Sequence, residues 1–141
     1  MVFALEKLIF WSGNAHFALC AGSLLIPKLL NWKANLAGLQ PLFRQMFWTY
    51  AAYILVINFC FGLVSVLGTS ELLDHSFLAT SITLFISIYW LSRIVIQFFY
   101  FDRSNAPKGL IYTLGEAALV ALFFVFALVY LIAFAHNQRW F

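Results

Sequence analysis

Apolar residues run along this chain in four long blocks, at about residues 8–29, 46–67, 76–101 and 110–135. Each block is close to the roughly 20 residues a helix needs to cross a bilayer core. None shows the in-and-out alternation of a barrel strand, so the blocks predict helices, whose backbone groups are satisfied within the segment where water does not reach. The breaks between blocks carry turn chemistry. DRSNAPKG at 102–109 is polar and holds Pro107 and Gly109, and so predicts a tight connection between the third and fourth helices. Residues 30–45 mix Trp32, Lys33, Phe43 and Arg44 with leucines and read as an interfacial loop with a short helix lying on the membrane. Thr69 to His75, with Glu71 and Asp74, reads as a short, flexible acidic connection. Pro27 is expected to kink or end the first helix. The pattern as a whole predicts an all-α fold, a polytopic integral membrane protein with a four-transmembrane-helix bundle forming a single domain over 1–141.

Polar positions inside the blocks fall in stripes. Helical spacing puts Ser12, His16, Cys20, Ser23 and Pro27 on one face of the first span and Asn14, Ala18 and Gly22 on nearly the opposite one, which predicts packed neighbours on both sides. In the second span Asn58, Gly62, Ser65 and Thr69 form a small, polar stripe suited to a packing seam. Tyr89, Arg93, Gln97 and Tyr100 share one side of the third span, and Tyr112 lies one turn before Glu116 in the fourth. Arg93 and Glu116 are charges within apolar segments, where a lone charge at mid-helix costs about 2.5–3.5 kcal/mol on insertion scales. At 1.5 Å rise per residue an antiparallel hairpin would bring them to roughly 13 Å and 10 Å from one membrane face. We therefore expect them to meet, directly or through one water, with Gln97, Tyr89 and Tyr112 completing the shell. His16 and Asn58, roughly 12 Å and 15 Å from the other face, form a second polar set expected to hydrogen-bond within a helix interface.

Composition narrows the partners. The chain is 65% hydrophobic, 20% aromatic and only 9% charged, whereas about a quarter of residues are charged in soluble domains. The lipid bilayer is thus its expected solvent. Its net charge of +3 is scattered along the chain, which argues against nucleic acid as a partner. Lys28, Lys33, Arg44, Arg103 and Lys108 lie on the side of the first and third loops, against Lys7 and Arg139 on the other. The positive-inside rule then puts both termini on the non-cytoplasmic side of a plasma or inner membrane.

Candidate chemistry is sparse. Cys20 and Cys60 sit in apolar spans with no C-x-x-C spacing, which argues against redox work. His16, His75 and His136 fall toward one side, but no ligand pair shares a helix, so no metal site is expected, haem is disfavoured and the cofactor stays unidentified. No nucleophile elbow, paired carboxylates or phosphate loop is present, and no catalytic residue is named. Size and span count invite comparison with membrane-bound glutathione-transferase-like proteins and small multidrug transporters. The helix signatures of the former are absent, and the latter carry their functional Glu in the first span rather than the fourth, so no residue is carried over. The 17 Phe residues suit lipid-facing filling, or the lining of a pocket for a lipid, quinone or carotenoid. The expected function is that of an accessory subunit or a small-molecule- or lipid-binding component of a membrane complex, partnered by other membrane subunits or a second copy. Two alternatives stand beside it. One is a small transporter working through Arg93 and Glu116, and the other an embedded enzyme acting on a lipid-like or quinone-like substrate.

Overall fold

The computed structural model describes residues 1–104 and 106–141; it is 80% helical, with no strand among those residues. Four helices are long and apolar enough to cross a membrane: α1 (Val2–Ser23, continued by α2), α4 (Pro41–Leu67), α5 (Phe77–Phe99) and α6 (Leu110–Asn137). Between α1 and α4 lie the short helices α2 (Ile26–Leu29) and α3 (Trp32–Leu36), and a 3-10 turn, Glu71–Leu73, precedes α5.

Local chemistry sets these ends. Pro27 falls in the first turn of α2, where its missing N–H removes no helical bond, and α1 breaks just before it. Asn31 takes a left-handed conformation, φ 53°, and turns the chain into α3. Pro41 likewise opens α4, which therefore starts there rather than at Met46. The Ser76 hydroxyl accepts the Ala79 N–H at 3.0 Å and caps α5. Just upstream, the Asp74 carboxylate accepts the Ser76 N–H at 2.8 Å. Hydrogen bonds from the Ser76 side chain and backbone hold its carboxyl below the usual carboxylate range. Gly109, at φ 143°, supplies a conformation open to glycine immediately before α6. The first helix begins at Val2 rather than Leu8, and the last runs to Asn137 rather than residue 135. In both cases the extra turn packs against the connection at 71–73.

The helices form two antiparallel pairs, α1 on α4 and α5 on α6, joined where α1 meets α6. At the α1–α4 crossing the backbones nearly touch. A Cβ on Gly13 would lie 2.9 Å from Ser65 Cβ, and one on Gly62 would lie 3.0 Å from Gly13 O. The expected seam of Gly62 and Ser65 is thus buried against Gly13. The opposite stripe of α1 is not packed: Ala18 and Gly22 are exposed, because α6 meets α1 on the side of Leu5 and Ile9 instead.

Burial divides the bundle across its middle. Buried residues run from Leu5 to Cys20 in α1, Asn58 to Ser65 in α4, Ala79 to Ile94 in α5 and Phe123 to Asn137 in α6. In α4 and α6 they lie toward the end that holds the start of α1, whereas in α1 and α5 they reach past the middle, to Cys20 and Ile94. α4 contributes no buried residue before Asn58 and α6 none before Phe123, so the two pairs are tightly joined in the half that holds the start of α1 and open toward the other. The closed half is capped from its end. Leu72 and Leu73 pack into a cluster with Leu5, Ile9, Val129 and Ala133. Asn137 fastens them, donating to Leu72 O at 2.8 Å and accepting the His75 N–H at 3.2 Å. The connection expected to be a flexible acidic loop is therefore a plug with its leucines turned inward and its acids outward.

Candidate functional site

The closed half buries polar groups, most of which are hydrogen-bonded within the bundle. His16 is fully enclosed; its Nε2 accepts the Trp90 indole N–H at 3.1 Å, and its Nδ1 lies 2.7 Å from Ser12 O. Because an indole nitrogen can only donate, the ring proton must sit on Nδ1 and point to the carbonyl. Phe126 stacks on the imidazole with ring centroids 3.8 Å apart, while Phe61 and Tyr130 meet it edge-on. The expected His16–Asn58 bond is not formed. His16 turns toward α5 and α6, and the buried Asn58 is left with an Oδ1 that has no hydrogen-bond partner among the described residues. Nearby, Ser65 shares a hydrogen bond with the Tyr130 hydroxyl, and Ser87 donates to Ala127 O at 3.1 Å. Trp90 stacks on Phe123 at 5.1 Å and leans on Phe126 at 4.9 Å, so an apolar layer closes this set off from the open half.

The second set lies at the α5–α6 hairpin, and here the pairing differs from expectation. Gln97, not Arg93, opposes Glu116, its Nε2 donating to Glu116 Oε1 at 2.9 Å. Glu116 forms its ion pair with Arg103, which folds back from the turn to 2.6 Å. Arg93 lies one helical turn farther in and reaches Glu116 only through Gln97, whose Oε1 is 3.4 Å from its guanidinium. The guanidinium instead sits over the rings of Phe101 and Phe123, 5.1 Å and 5.2 Å from their centroids. Such cation–π contacts contribute roughly 0.5–2 kcal/mol and leave most guanidinium donors unused. Among the described residues Arg93 has no carboxylate partner. Tyr89 is held edge-on between Phe61 and Trp90, and Tyr112 makes no side-chain hydrogen bond among the described residues, so neither completes the Glu116 shell. Tyr100 is exposed at the end of α5.

The His75 and His136 rings lie 4.6 Å apart at the capped end, beside Asn137. No group of three or more metal-ligating side chains occurs among the described residues.

Two grooves open on the other pair of helices. One, of about 400 Å³, runs between α1 and α4 along Phe17, Cys20, Ala21, Leu24, Leu55 and Phe59 and is almost wholly apolar. The second, of about 580 Å³, lies under α2 and α3, where Lys28, Asn31, Lys33 and Trp48 supply a polar rim. Leu24 lines both, so the grooves adjoin at the break after α1. Trp32 stacks edge-on against Phe47 and Trp48, 4.9 Å and 5.6 Å away, and steadies this corner.

Sequence reasoning named His16, Asn58, Arg93, Gln97 and Glu116 but missed Trp90, Arg103 and Asn137. Trp90 carried a usable signal: a tryptophan in the middle of a span, rather than in the interfacial belt, needs an acceptor for its N–H. The grooves had no signal, since they arise from the open packing of the helices. Comparison with protein-family models, with curated proteins and with solved structures finds no match to this chain.

Proposed function

We propose that this chain is a lipid- or small-molecule-binding accessory component of a membrane complex rather than a self-contained enzyme or carrier. The observation that supports it is the division of the bundle. Asn58 apart, most buried polar groups of the closed half are hydrogen-bonded within the bundle, His16 through both ring nitrogens. The open half instead presents adjoining grooves and an arginine held between aromatic rings. Closed at one end and accessible at the other, such a frame suits the holding of an amphiphile or a partner helix better than turnover. In this proposal the open half faces the cytoplasmic leaflet, both termini lie on the opposite side, and the membrane is a plasma or inner membrane, as the distribution of basic residues indicates.

A transporter working through Arg93 and Glu116 is the second reading, favoured by the line Arg93–Gln97–Glu116. It requires the stacked layer of Trp90, Phe123 and Phe126 to part, because that layer closes the way to His16. Native mass spectrometry of protein extracted in mild detergent separates the two. Retention of a lipid, another amphiphile or a membrane subunit near one-to-one stoichiometry is expected. A bare monomer that moves solute across reconstituted vesicles, and loses that activity in Arg93→Leu, would overturn the proposal.

A further inference from the structure

The geometry points to the paired grooves beside α1 and α4 as a site for one anionic phospholipid, its phosphate held by Lys28 and Lys33 and an acyl chain laid between α1 and α4. The inference rests on the lipid-binding reading above and gives it a place and a headgroup class.

Four observations converge. The apolar groove follows α1 from Leu24 back to Phe17, roughly 10 Å by helical rise, so its direction is that of a chain descending from the interface toward the bilayer middle. Its lining has almost no polar surface, as an acyl chain requires and a polar solute would not tolerate. At its interfacial end it adjoins the second groove, whose lining includes Lys28, Lys33, Asn31 and Trp48. Neither lysine has a carboxylate within ion-pair distance among the described residues, so the charge is available to a ligand.

The fold explains why the lysines meet. The break at Pro27 and the left-handed Asn31 bend the chain across the membrane face instead of letting α1 run on into water. Lys28 on α2 and Lys33 on α3 are thereby brought to one rim over a groove that the α1–α4 crossing leaves open below. A basic pocket joined to an apolar slot is the arrangement that recognises a lipid by headgroup charge and chain together. A free anion would use the rim alone.

Both lysines and Ala21 are exposed, so their replacement spares the buried core. The test uses the full chain in nanodiscs of phosphatidylcholine doped with phosphatidylglycerol, with bound lipid counted by native mass spectrometry after release. The wild type should enrich one phosphatidylglycerol over the bulk composition. Lys28→Gln and Lys33→Gln should each weaken that preference about fivefold and together about 25-fold, from the roughly one unit of free energy (kcal/mol) per basic residue at a membrane surface. Ala21→Phe should expel lipid of either headgroup by filling the slot, and excess inorganic phosphate should not displace the lipid. No enrichment in the wild type, or preference unchanged in the double-lysine variant, would overturn the site. Displacement by inorganic phosphate would reduce it to an anion site. If binding survives all three substitutions but is lost in Arg93→Leu, this site is wrong while the lipid-binding reading stands. If no lipid or partner is retained at all, that broader reading fails too.

Discussion

His16 shows how a polar residue is made compatible with a membrane core. Both ring nitrogens are used, one on Ser12 O and one on the Trp90 N–H, and the faces and edges are covered by aromatic rings. Replacing either partner leaves a buried group unpaired at a cost of about 1–3 kcal/mol. His16→Leu and Trp90→Phe should therefore each lower the detergent melting temperature, and the double variant should lose clearly less than their sum. Strictly additive losses would mean the two side chains do not act as a pair. That a buried histidine needs partners was legible in the sequence; which partner it takes was not. Counted from Leu8, His16 lies roughly 12 Å deep and Asn58 is the matching group, but counted from Val2 it lies roughly 21 Å deep, level with Trp90 as counted from Ser76. Depth also says nothing about which way a side chain turns about the helix axis. The same gap separates Arg93 from Glu116, where a one-turn offset put Gln97 opposite the carboxylate and let Arg103 fold back from the loop.

Among the elements, the tightest fit is the crossing of α1 and α4. Gly13→Ala would drive a methyl to within 2.9 Å of Ser65 Cβ and 3.0 Å of Gly62 O, where backbone limits relaxation. Overpacking of this kind typically costs about 1–3 kcal/mol. Gly22→Ala meets nothing within 4 Å and, with the better helix propensity of alanine, should be neutral or slightly stabilising. Thermal unfolding of the two variants in one detergent should separate them clearly; equal melting temperatures would remove Gly13 from the seam. The stripe of Gly62 and Ser65 could be read from spacing alone. Gly13 could not, because it falls between the two stripes of the first span. The start of α4 was misjudged for a related reason: Pro41 resembles a break in a hydrophobic plot yet occupies the first turn of a helix, where proline fits, whereas the end expected at Pro27 is the point at which α1 gives way to α2.

At the scale of the molecule, four spans were legible because their runs of apolar residues are long and nearly free of charge. The division into a closed and an open half was not, since it depends on how two hairpins meet. Sidedness belongs to this scale as well. In a cysteine-free background, membrane-impermeant labelling should reach Arg139→Cys from outside, and Arg44→Cys and Lys108→Cys only after permeabilisation. The reverse pattern would invert the orientation and move the lysine-rimmed groove to the other leaflet. The most direct measurement of lipid binding is photo-crosslinking in bilayers with a phospholipid carrying a diazirine in its acyl chain, mapped by peptide mass spectrometry. Labels concentrated on Leu24, Leu55 and Phe59 are the expected result. Labels spread evenly over outward-facing positions such as Phe85, Ile88 and Leu128 would show lipid acting as solvent alone and would contradict it.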